Sequence, residues 1–141
     1  DKFVKFKQSV DIGTSTFGQR QAAYFCKMYD MEAHIKQITD LYAKRRDLMC
    51  DSMEKYFPKE VKFNRPQGGL FTWVTLPEGI DAKALMRKAI AKNVAYVPGV
   101  IFYPNDGEVN HFRLNYSNMT EDRIVEGVKR LGELLHEELD K

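Results

Sequence analysis

The sequence predicts an α+β chain in which long N-terminal helices precede a small lobe with an α/β-type order of elements. Two observations carry this reading. Up to about residue 57 the apolar residues recur at helical spacing. From about residue 60 short alternating runs appear instead, separated by Pro, Gly, Asn and Asp, and they give the order β, β, α, β, β, α.

The opening stretch, DKFVKFKQSV, carries Phe3, Val4 and Phe6 with no capping residue ahead of them, which predicts that residue 1 interrupts a helix of a longer chain. After the DIGTST turn, Ser15 caps a helix to about Tyr29. Its Phe17, Ala22, Ala23, Tyr24, Phe25 and Met28 cover much of the circumference, so it needs partners on more than one side. Those surfaces belong to missing sequence or to a second subunit. Asp30 caps the next helix, where Ile35, Ile38, Tyr42, Met49, Met53 and Tyr56 keep the period until Pro58. At the helical rise it is roughly 40 Å long, enough to connect two bodies.

VKFNR (61–65) and LFTWVTL (70–76) then read as strands around a PQGG turn. Gly68 and Gly69 lack the spacing of a phosphate cradle. Asp81 caps a helix with Leu85, Met86, Ala89 and Ile90, ending near Asn93. VAYV is a short strand, PGVIFYPNDG a loop and HFRLNYS (111–117) a strand. Thr120, Glu121 and Asp122 then form a capped, dipole-favoured start to a final helix striped by Ile124, Val128, Leu131 and Leu135.

At 141 residues, with 43% hydrophobic residues, the chain can build a core. Twenty-two Lys and Arg against 20 Asp and Glu leave a net charge of +2, scattered rather than focused, so no nucleic-acid contact is expected of this segment. No apolar run reaches membrane-span length and no signal-peptide pattern opens the chain, so a cytoplasmic location is expected. Cys26 and Cys50 read as reduced, buried thiols, and His34, His111 and His136 lie too far apart for a metal site.

Alternation in HFRLNYS sends Phe112, Leu114 and Tyr116 to one face and Arg113, Asn115 and Ser117 to the other. Arg113 therefore stands either on the solvated side of a half-buried sheet or on the wall of a cleft, where its planar fork holds a carboxylate. Spacing leaves both readings open.

RPQGGLFTWVTLPEGIDAKAL (65–85), VAYVPGVIFYPNDG (94–107) and FRLNYSNMTEDRIVEGVKRLGELL (112–135), in that order, resemble the C-terminal part of fold-type I pyridoxal-phosphate (PLP) aminotransferases. The likeness is to the branch with 2-aminoadipate and aromatic amino acid aminotransferases. KQSVDIGTSTFGQRQAA (7–23) resembles the end of the family's large domain. The resemblance implies residues 1–30 as the tail of the large cofactor domain, 31–57 as an interdomain helix and 58–141 as the small domain. It assigns Arg113 to the substrate's α-carboxylate. It brings Phe102 and Tyr103 to the substrate's border, with ordinary loop packing as the alternative. It sets Thr14 and Thr16 near the partner subunit's active site in a homodimer, with turn and capping chemistry as the alternative.

The same resemblance implies an amino acid and a 2-oxo acid as substrates. It also requires a lysine that forms a Schiff base with the cofactor, preceded by Ser or Thr. Lys7, Lys27, Lys36, Lys44, Lys88 and Lys129 all read as helix-surface charges, so that lysine is expected upstream of Asp1 and this segment alone is expected to be inactive. A different class, a transcriptional regulator with a winged helix ahead of an aminotransferase-like effector domain, keeps the same carboxylate site.

Overall fold

In the computed structural model, which describes residues 1–105 and 107–140, the chain divides into two compact units, Asp1–Thr39 and Asp40–Lys141. The first holds α1 (Lys2–Val10), α2 (Thr16–Met28) and the start of α3 (Met31–Tyr56), the helix that continues into the second unit. Ser15 caps α2 by accepting from the Gly18 amide at 3.3 Å, and Asp30 caps α3 by accepting from Ala33 at 3.0 Å. Neither α1 nor α2 has a buried residue, and Phe3, Phe6, Phe17 and Tyr24 stand exposed. Phe25 and Tyr29 stack on one another at 4.7 Å.

The second unit is built on an antiparallel sheet in the order β1-β2-β4-β3. Its strands are β1 (Lys62–Phe63), β2 (Phe71–Thr75), β3 (Val97–Pro98) and β4 (His111–Asn115). The two long strands pair at the centre, and each outer strand is two residues long. Helix α4 (Ala82–Ala91) joins β2 to β3, and α5 (Glu121–Leu139) follows β4, so the order of elements from residue 60 is the expected one.

Register decides which residues share a face. Phe63, Val74, Phe112 and Pro98 form one row, while Trp73, Arg113 and Val97 form another on the opposite side of the pleat. The first face packs with Met49, Cys50 and Met53 of α3, Leu85 and Ala89 of α4, and Ile124, Val128, Leu131 and Leu135 of α5 in one core. Each large side chain in it contributes about 1.5–3 kcal/mol relative to exposure. Tyr96, stacked on Phe112 at 4.3 Å, donates to the Ala82 carbonyl at 2.7 Å, and burial pushes its phenol well above the usual range. Arg45 donates to the Ser117 carbonyl and Tyr116 to that of Gly68 at 3.2 Å, which ties α3 and the PQGG turn to the end of β4.

Four expectations need correction. VAYV is not a strand over its length: ladder pairing is confined to Val97–Pro98, and the preceding Tyr96 turns into the core instead, where its hydroxyl bonds the Ala82 carbonyl. The following segment is not all loop. Pro98 ends β3 and Gly99–Phe102 closes a 3-10 turn, η1, while Asp106 lies outside the described residues. Thr120 makes no side-chain cap to α5; its side chain acts instead on Asp122, whose carboxyl is held below its ordinary pKa chiefly by the neighbouring Thr120 hydroxyl. Finally, only Cys50 is a buried thiol, its pKa raised mainly by burial; Cys26 is free but exposed.

Candidate functional site

β2 and β4 both alternate, and their pairing turns Phe71, Trp73 and Thr75 to the same side as His111, Arg113 and Asn115. Trp73 lies directly opposite Arg113, and Phe71, opposite Asn115, is its diagonal neighbour, within reach of an aromatic side chain. Phe102 comes to this face from the end of η1. The result is an arginine flanked by rings: the Arg113 Cζ lies 3.8 Å from the Phe71 ring centre and 4.4 Å from that of Phe102. Such contacts contribute about 0.5–2 kcal/mol each, more as water is excluded.

Arg113 is half-buried and its Nε is enclosed without a hydrogen-bond partner. No acidic side chain among the described residues is paired with it. A guanidinium held by rings keeps its in-plane N–H groups, since a ring attracts the cation through its face and accepts no in-plane bond. Its terminal amino groups are therefore suited to a planar anion, and a carboxylate matches their spacing.

Behind the rings is a chain of contacts. Phe102 meets Trp73 edge-on at 5.8 Å, and Trp73 lies against the His111 ring at 5.7 Å. His111, buried, is fixed by Glu108 at 2.5 Å through Nε2 and by Thr75 at 3.1 Å through Nδ1. Gly99 fits beneath them: a Cβ there would lie 2.7 Å from the His111 Cβ and 2.9 Å from the Trp73 Cζ2. Gly99→Ala is therefore expected to lift η1 off the sheet and carry Phe102 away from Arg113. Trp73 fluorescence should change while far-UV circular dichroism does not, and an unaltered Trp73 environment would contradict the packing described.

Of the residues singled out from sequence, Arg113 and Phe102 come together. Tyr103 turns onto its own loop, its ring against Gly107. Thr14 and Thr16 belong to the first unit, where the Thr14 carbonyl accepts from Gln19 at 3.1 Å and Thr16 opens α2. Sequence reasoning missed Phe71, Trp73 and His111. The alternation of LFTWVTL held part of that signal, but which strand lies beside β4, and in what register, is not written in either segment. A cleft of about 860 Å³ elsewhere in this unit, lined by Leu114, Asn115, Met119, Arg123 and Ile124 among others, does not include Arg113. Among the described residues no group of three or more His, Cys, Asp or Glu could hold a metal ion, and no helix is long and apolar enough to cross a membrane.

Residues 2–131 match the family model described as aminotransferase class I and II. Aromatic-amino-acid aminotransferase 1 of Thermococcus litoralis is 45% identical over 135 residues, 96% of this chain and 32% of that protein. The 2-aminoadipate transaminase of Thermus thermophilus is 37% identical over 134 residues, 95% of this chain and 33% of that one. Among solved structures, Pyrococcus horikoshii kynurenine aminotransferase, in complex with PMP, has a TM-score of 0.90 at 46% identity, covering 98% of this chain and 34% of its own. An uncharacterized HTH-type transcriptional regulator of Bacillus subtilis also matches, at 26% identity over 137 residues, 97% of this chain and 28% of the regulator. The chain spans about a third of the length of the curated relatives it matches first. With the family model matched over nearly all its residues and the fold shared at that similarity, the chain belongs to the class I and II aminotransferases.

Proposed function

We propose that this chain is the C-terminal part of a PLP-dependent aminotransferase that moves an amino group between an α-amino acid and a 2-oxo acid. Arg113 holds the α-carboxylate of both substrates. The observation that carries the reading is a guanidinium flanked by two rings, with an enclosed, unpartnered Nε and no carboxylate paired with it among the described residues. By fixing one end of the substrate, Arg113 orients its Cα–H, which converts a diffusing reactant into a positioned one. Phe102 borders the substrate, and Tyr103 does so at the outer edge of the same loop.

The residues present do not fit the cofactor itself. None of the described lysines is buried, and the half-buried Lys92 is paired with Glu137 at 2.6 Å. In this reading the cofactor's lysine and phosphate donors belong to the two thirds of the relatives' length that this chain does not span. Residues 1–30 are the tail of the large domain, 31–57 the interdomain helix and 58–141 the small domain. The exposed apolar side chains of α1 and α2 suit burial against that domain and a second subunit of a homodimer, with Thr14 and Thr16 near the partner's site. Two free cysteines suit the cytoplasm.

The test uses full-length protein. The absorbance of its bound cofactor should change on adding an amino acid and return on adding 2-oxoglutarate. A spectrum indifferent to every amino acid would overturn the enzyme reading. The likeness to the Bacillus subtilis regulator supports one other reading, an effector domain that binds an amino acid without turning it over. A basic helix-turn-helix domain in the full-length sequence would favour it.

A further inference from the structure

We propose that Phe71 and Phe102 are positioning residues that clamp the Arg113 guanidinium, so that it meets a carboxylate already oriented. This rests on Arg113 being the carboxylate ligand. Both rings present their faces to one carbon, Cζ, at 3.8 and 4.4 Å, yet they come from separate elements, β2 and η1. Two large apolar side chains are thus held at the sheet surface, 39% and 43% exposed, where core packing does not account for them.

A free arginine has four rotatable side-chain bonds, and ordering it when the ligand arrives lowers affinity. An acidic neighbour would order it too, but would compete for the N–H groups that the substrate needs. Ring faces order it without occupying a single in-plane donor. The rings also exclude water from the guanidinium, which strengthens its attraction for an incoming carboxylate. The enclosed Nε fits this arrangement, because one edge of the fork is closed off and the terminal amino groups face the ligand. The clamp has its own support, since Phe102 rests on Trp73, and Trp73 on a His111 that Glu108 and Thr75 fix.

The carboxylate is common to every amino acid and 2-oxo acid, so the clamp acts on all of them alike. In the full-length protein, Phe71→Leu and Phe102→Leu are expected to raise KM about tenfold for amino acid and 2-oxo acid together, with a smaller change in kcat. The factor should be the same for alanine as for a large aromatic substrate. Phe71→Tyr and Phe102→Tyr keep a ring face and should restore KM. In an Arg113→Leu background the Phe71→Leu effect should vanish.

KM unchanged in both leucine variants would overturn the proposal. So would a rise confined to substrates with large side chains, which would make the rings contacts to the side chain. Arg113→Leu in the same series separates two failures. If it leaves KM unaltered, the carboxylate reading itself falls; if it raises KM while the phenylalanine variants do not, only the clamp falls.

Discussion

On the proposed role of Arg113, Arg113→Leu in the full-length protein is expected to raise KM roughly a hundredfold for the amino acid and for the 2-oxo acid alike, because it would remove charge-assisted hydrogen bonds worth about 2–3 kcal/mol from each complex. The loss is expected in KM more than in kcat, since a carboxylate anchor holds the ground state and the transition state in similar measure. Arg113→Lys recovers only part of it. An ammonium still carries charge between Phe71 and Phe102, but it has no planar fork to meet two oxygens at once. Steady-state kinetics with each substrate varied in turn is the measurement. An unaltered KM for either one would remove Arg113 from the role.

Two glycines five residues apart on α5 should respond in opposite directions. At Gly132, buried, a Cβ would lie 2.4 Å from the carbonyl oxygen of Tyr56 and 2.9 Å from its carbonyl carbon, at the end of α3. Those are backbone atoms and cannot swing aside as a side chain can. Gly132→Val forces α5 away from α3 and costs about 3 kcal/mol, the upper part of the range for overpacking. At Gly127 nothing lies within 4 Å of a new Cβ, so Gly127→Ala gains helix propensity and stabilises by about 0.4–1 kcal/mol. Thermal unfolding should fall by about 6–12 °C for the first and rise by a few degrees for the second. Equal shifts would mean that the two helices are not in contact at Gly132.

What the sequence shows and what it hides follow from the range of each interaction. Ser15, Asp30 and Asp81 cap their helices as their positions predict, because a cap is made within three residues of the capping side chain. Thr120 has the same credentials and makes no cap, and the acidic Asp122 two residues on competes for its hydroxyl. The face of Arg113 is legible because alternation needs only the strand itself. Its neighbours are not: Phe71 and Trp73 stand about 40 residues upstream, and only the β2–β4 register brings them alongside. The turn at Gly99–Phe102 is equally hidden, because it depends on Gly99 slipping under Trp73 and His111 rather than on any local preference.

The shortness of the sheet's two outer strands has a further effect. An open β-edge is a template on which stray chains polymerise, and its hazard grows with the length of unpaired backbone that it presents. Here each border offers two residues, and on the β3 side one of these is Pro98, which has no amide hydrogen to give. The ring-flanked face of Arg113 can therefore stand on this sheet without the sheet seeding aggregation through its rims.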